Sequence, residues 1–222
     1  MAQTPDFGLP DSLDLSERVV QLILLVTVLS LVPGLAVMIT CFPFIVTVLA
    51  ILRQGIGLQS SPPNMLLISL ALFLTYFVME PVFREAWVTG IEPLTQGRLP
   101  PDAALTAALE PFRVFMAGRI DADTFASLSE MRGFGATAPA PDAPLSILLP
   151  SFMLSEIERA FEIGFLIFLP FLIIDLVVAA ILMSMGMMMV PPAIVALPFK
   201  LAFFVVADGW TLVSRALVEG YF

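Results

Sequence analysis

Residues 183–200 read MSMGMMMVPPAIVALPFK and join two long apolar stretches through a turn. Five of the chain's twelve methionines fall in the first seven of these residues, around Gly186 and just ahead of Pro191-Pro192. Proline cannot continue a helix from its interior, and glycine readily takes the left-handed backbone that ends one. The flanking runs, Ile163–Val190 and Ala193–Leu217, are therefore expected to be antiparallel neighbouring helices hinged at Pro191 and Pro192. This hairpin sets the class of the whole chain, because most of the remaining sequence has the same makeup.

Of 222 residues, 59% are hydrophobic and 13% are charged, where a soluble domain carries about 25% charged residues. Val19–Leu52 holds 34 residues without a charge. As one straight helix it would measure about 51 Å, well beyond a hydrocarbon core of ~30 Å. Pro33-Gly34 and Pro43 interrupt the run, so kinks or a break are expected. The link Arg53–Asn64 (RQGIGLQSSPPN) reads as a turn, and a second run, Met65–Phe83, is just long enough to span. The fold class expected is all-α: polytopic hydrophobic helices in two Pro-kinked or broken hairpins, residues 19–83 and 151–222.

Between the hairpins, residues 84–150 change character. Leu105, Leu109, Phe112 and Met116 mark an amphipathic helix that Pro111 is expected to bend or split. Gly133–Pro144 (GFGATAPAPDAP) is a Pro/Ala-rich linker with little reason to fold alone. This segment reads as a small exposed, partly helical domain. Residues 1–18 form a polar acidic segment with four acids and one arginine. They lack the basic start of a cleavable leader, so either a leader has been removed or the first run directs insertion. Residues 84–162 carry six basic and eleven acidic side chains, whereas the link 53–64 carries one arginine and no acid. The positive-inside bias places that link in the cytoplasm and both acidic segments outside it.

A net charge of −9 with scattered basic residues argues against nucleic acid and against a polybasic lipid patch. The chain has no histidine, which removes the commonest general base and metal ligand, and no metal or other cofactor is expected. Its one cysteine, Cys41, has no intrachain disulfide partner. A Ser184–Lys200 dyad would be separated by about two to three helical turns along the hairpin, and no Gly-x-Ser-x-Gly elbow exists, so no enzyme is expected. A stand-alone channel or transporter for small solutes is the alternative on composition, although few polar groups converge at mid-membrane.

Glu80, Asp175, Lys200 and Asp208 lie within apolar segments, where a lone charge costs ~2.5–3.5 kcal/mol at a bilayer centre. In a hairpin turning near Met188, position 200 faces about position 176, which makes Asp175 the natural partner of Lys200 within one chain. Glu156 or Glu158 of a second copy is the other candidate. Methionine is unbranched and repacks at little cost, so Met185, Met187, Met188 and Met189 around Gly186 either fill a core or form an adaptable surface. Brought together around an axis, such turns would close a pore by excluding water.

Four motifs carry a family resemblance: SSPPNMLLISLALFLTYFVMEPV (60–82), LPSFMLSEIERAFEIGF (149–165), LPFLIIDLVVAAILMSMGMMMVPP (169–192) and ALPFKLAFFVVADGWTLV (196–213). Together they resemble the FliP family of flagellar export-gate proteins and the similar export-gate subunit of type III secretion injectisomes. The resemblance implies a non-enzymatic, pore-forming subunit at the basal body in the bacterial inner membrane. Several copies, a pentamer, would coil with FliQ-like and FliR-like subunits beside FlhA-like and FlhB-like membrane proteins. Unfolded exported proteins would pass a constriction lined by the methionine turn. Two details depart from the family pattern: Pro43-Phe44 stands where members carry an arginine, and Ser151 replaces a more usual alanine.

Overall fold

A computed structural model describes residues 12–58, 62–136, 138–187 and 189–221, and all regular structure among them is helical. The chain divides into two units, residues 1–37 and 38–222. The described part of the first is almost all of α1 (Ser12–Met38), with Val19, Val20, Leu22, Ile23, Leu24 and Val26 exposed along it. Pro33-Gly34 lies inside α1; the break in the first apolar run comes instead at 39–41, directly ahead of Pro43.

In the second unit, α2 (Phe42–Ile56) begins with Pro43 in its first turn, where the missing N–H costs nothing. It ends at Gly57, whose φ of 88° closes the helix in the left-handed region. Ile45, Val48, Leu49, Leu52 and Ile56 recur at helical spacing, and all are buried. They form one core with Leu67, Ala71, Val78 and Met79 of α3 (Asn64–Ala86) and with Ala160 and Phe171 of α7 (Leu145–Ser184). Helices α2 and α7 approach closely because glycines face the contact. A Cβ on Gly164 would lie 2.4 Å from Ile51 Cδ1, and one on Gly55 would lie 3.0 Å from the Phe168 ring.

Helix α3 outruns the expected span. It continues through a π-helical turn, Trp87–Ile91, into α4 (Glu92–Thr95), 32 residues in all. Pro93 supplies no N–H to the carbonyl four residues before it, and the widened turn relieves that defect. The wide turn seats Gly90 against α5 (Pro101–Arg119), where a Cβ would meet Ala108 N and Ala104 O at 2.6 Å.

Of the bend or split expected at Pro111, the split does not occur. The helix runs unbroken past it, and Pro111 is buried. Its missing N–H orphans the Ala107 carbonyl, which lies 3.1 Å from Thr89 Oγ1 and shares that hydroxyl's one proton with the Glu85 carbonyl at 2.8 Å. Of the expected apolar face, Met116 is buried, Leu109 and Phe112 are half-buried with Phe112 packed on the core, and Leu105 alone is exposed; Ala104 and Pro111 are buried beside them.

Asp121 caps α6 (Ala122–Met131) by accepting from Thr124 N at 2.9 Å, a bond that holds its carboxyl below the usual range. The Pro/Ala-rich linker is fastened rather than loose. Arg113 Nη1 donates to the carbonyls of Pro141 and Ala143, each at 3.0 Å, and Ala143 is buried. Helices α5 and α6 pack on α3 and α7, so residues 84–150 belong to the same unit as the apolar helices.

The third apolar run also starts early, at Leu145 rather than Ile163, giving a 40-residue α7 that passes Pro150 and Pro170. The fourth run is two helices rather than one. α8 (Pro192–Val206) and α9 (Gly209–Glu219) meet at 64° across Ala207-Asp208. Asp208 adopts φ 50°, and the Phe204 ring lies against Gly209, where a Cβ would come within 2.2 Å. Among the described residues, two helical stretches are long and apolar enough to cross a membrane, Asn64–Thr95 and Leu145–Ser184, and the bent α8–α9 pair is a third if counted as one.

Two substitutions test this packing. Gly90→Ala drives a methyl into backbone that cannot yield, and is expected to lower unfolding stability in detergent by about 1–3 kcal/mol. Thr89→Val should destabilise the chain by about 1 kcal/mol, and by much less when Pro111→Ala restores an N–H for the Ala107 carbonyl. Denaturant unfolding of the single and double variants measures both.

Candidate functional site: the methionine turn and the charges beneath it

The turn at 185–192 is built by backbone bonds. Met187 N donates to Leu182 O at 3.0 Å and Gly186 N to Met183 O at 3.1 Å, with Gly186 at φ 75°. This is a left-handed helix stop that glycine satisfies without strain. Pro191 then adopts extended backbone and Pro192 opens α8, where its fixed φ suits the first turn. Ser184 Oγ donates to the Ile181 carbonyl, while Lys200 is engaged elsewhere, so the two do not meet.

The described methionines of the turn are exposed to different degrees. Met185 is 65% exposed, Met187 37% and Met189 97%; Met188 lies outside the described residues. In a single chain Met185 and Met189 are therefore uncovered, and the alternative of filling the subunit's own core does not describe these two. Below Met185, an apolar groove of about 490 Å³ opens between α7 and α8, bordered by Ile174, Val178, Leu182 and Phe199. Ala196 closes the hairpin against Val178 and Leu182.

Further down the hairpin, Lys200 is 5% exposed and tied to two other helices. Its Nζ donates to Asp175 Oδ2 on α7 at 2.6 Å and to the Gly55 carbonyl in the last turn of α2 at 2.9 Å. The negative end of the α2 dipole adds to the attraction. Within one chain, the partner that Lys200 takes is Asp175. Asp175 Oδ1 is buried without a hydrogen-bond partner among the described residues.

The other charges go elsewhere. Glu156 is fully buried, 0% exposed, and faces Arg119 and Arg159 instead of Lys200. Glu158 is exposed, and Glu80 pairs with Arg84 one turn on. Asp208 was expected among the buried charges; it is exposed at the α8–α9 break, with no ion pair among the described residues. A short polar side chain tolerates left-handed backbone better than most, which is what its position requires. The Gly55 carbonyl, Arg119 and Tyr221 were not visible as site groups in the sequence. No local pattern marks a backbone acceptor, and the two side chains come from distant segments.

The FliP family matches residues 25–217. Among curated relatives, flagellar biosynthetic protein FliP of Caulobacter vibrioides is 51% identical over 222 residues, covering all of this chain and 84% of the relative. The protein of the same name from Agrobacterium fabrum is 48% identical over 200 residues, 89% of this chain and 81% of the relative. That from Bacillus subtilis is 45% identical over 202 residues, 91% of each.

Removing one member of a buried ion pair is costly because it strands the other, although Asp175 keeps a third of its side chain exposed. Lys200→Ala is expected to insert into membranes at the normal level yet lose about 2–3 kcal/mol of stability in detergent. Lys200→Met combined with Asp175→Leu should recover most of that loss. Membrane fractionation and denaturant titration separate the two effects.

Proposed function

This chain belongs to the FliP family, and from that premise we propose that it is a structural subunit of the flagellar-type protein export gate. Several copies, as a pentamer, coil with FliQ-like and FliR-like subunits in the bacterial inner membrane at the basal body, next to FlhA-like and FlhB-like proteins. The N-terminal segment and residues 84–150 face the periplasm. Unfolded exported proteins pass along the axis.

The observation that carries this proposal is the exposed apex formed by Met185, Gly186, Met187 and Met189 on a rigid backbone stop, with Met188 completing the motif in sequence. Thioethers are apolar enough to exclude water and ions, and flexible enough to part around a chain of any sequence. The Pro191-Pro192 restart and the Lys200–Asp175 pair hold the hairpin that presents them. The broad apolar surfaces of α3 and α7, including Phe73, Phe77, Phe165 and Ile173, are what subunits packed against sisters would bury.

Single cysteines at Met187 or Met189, with buried Cys41 left in place, should cross-link between copies in complexes isolated with the FliQ-like and FliR-like partners. Labelling of both positions by a lipid-phase reagent, with no cross-link between copies, would place the turn on the outer wall and overturn the proposal.

A further inference from the structure

Glu156 sits on α7 with no solvent exposure, and both carboxylate oxygens are answered by groups remote in sequence. Arg119 Nε at the end of α5 donates to Oε1 at 3.0 Å, and Arg159 Nη1 lies 3.5 Å from the same oxygen. Tyr221, just past α9, donates its hydroxyl to Oε2 at 2.5 Å. Burial, and then the adjacent carboxylate, push that hydroxyl far above its ordinary value, so it remains a donor.

Arg119 is the shared piece. Besides Glu156, its Nη1 donates to the Gly220 carbonyl at 2.7 Å, and its guanidinium lies 4.1 Å over the centre of the Tyr221 ring. That ring stacks on Phe115 of α5 and meets Phe44 of α2 edge-on. One residue earlier on α7, Ser155 Oγ accepts from Asp121 N at 2.9 Å and anchors the α5–α6 turn at the same level. Both the arm formed by α5 and α6 and the residues after α9 thus converge on a single turn of α7.

We propose that Gly220–Tyr221 is a strap that locks the α5–α6 arm onto α7 by completing the shell of Glu156. When docked, the strap gives Oε2 of the buried carboxylate its donor and gives Arg119 a carbonyl and a ring. When undocked, Glu156 Oε2 loses its donor, Arg119 loses two of its three partners, and the joint between α5, α6 and α7 loosens. A buried charge with an incomplete shell is costly, which makes docking and arm order one cooperative event. The strap is a property of the folded subunit and holds whether or not the methionine turn lines a conduit.

Hydrogen exchange on the full chain in detergent tests it. Tyr221→Phe keeps the ring and its aromatic contacts and removes only the hydroxyl. Amides of residues 119–131 should then exchange about ten- to hundredfold faster, while those of α8 keep their rates. Arg119→Lys retains the charge but not the forked reach to Gly220, and should produce the same regional pattern with Tyr221 intact. In the Glu156→Gln background, Tyr221→Phe should add little. Unchanged exchange at 119–131 in both single variants, or acceleration spread equally over α8, would overturn the proposal.

Discussion

An ammonium group enclosed by apolar helices must find acceptors within reach, and Lys200 finds them on two helices at once. Asp175 lies on the facing arm of its own hairpin; the Gly55 carbonyl lies at the end of α2. One side chain thereby fixes the axial position of α8 against α7 and of both against α2. The rest of the second unit follows from that registration. With the hairpin held, Ala196 closes on Val178 and Leu182, Phe204 reaches Phe171, and the methionine turn is set at a defined distance from the charges. Such a contact specifies arrangement more than it adds net stability, since desolvating two charges offsets most of their attraction.

A second constraint comes from prolines within helices. Pro93 and Pro111 each deny a hydrogen bond to a carbonyl one turn back, and the two defects are resolved side by side. The π-helical turn before Pro93 brings Gly90 into contact with Ala104 and Ala108, and places the Thr89 hydroxyl between the Glu85 carbonyl and the carbonyl freed by Pro111. Pro111 is accommodated because a neighbouring segment faces the carbonyl it frees, and Pro43, Pro93, Pro101 and Pro192 because each sits at a helix start.

Much of the fold is legible in the sequence because its signals are local. Uncharged runs, Gly186 and Pro191-Pro192 mark helices and the turn between them without reference to anything distant. The Lys200–Asp175 register follows from counting back through that turn. Other features fail for identifiable reasons. A search for uncharged runs misses the first half of α7, where Glu156, Glu158, Arg159 and Glu162 interrupt the apolar pattern on a continuous helix. Pro111 looks like a breaker only while Thr89 is out of view. The α8–α9 break did leave a trace, Asp208-Gly209, but a lone Asp-Gly inside an apolar run reads equally as a buried acid. The shell of Glu156 draws on α5, α7 and the residues after α9, and no periodicity links those segments.

The backbone stop at Gly186 has a mechanical consequence. Because the carbonyls of Leu182 and Met183 hold the amides of Met187 and Gly186, the backbone at the helix stop is fixed, and compliance at the stop resides in side-chain torsions. Exposed side chains change rotamer in about picoseconds to nanoseconds, whereas loops rearrange in nanoseconds to microseconds. A collar made from such turns would behave like bristles set in a stiff ferrule. It would conform to whatever presses through and spring back by side-chain rotation alone.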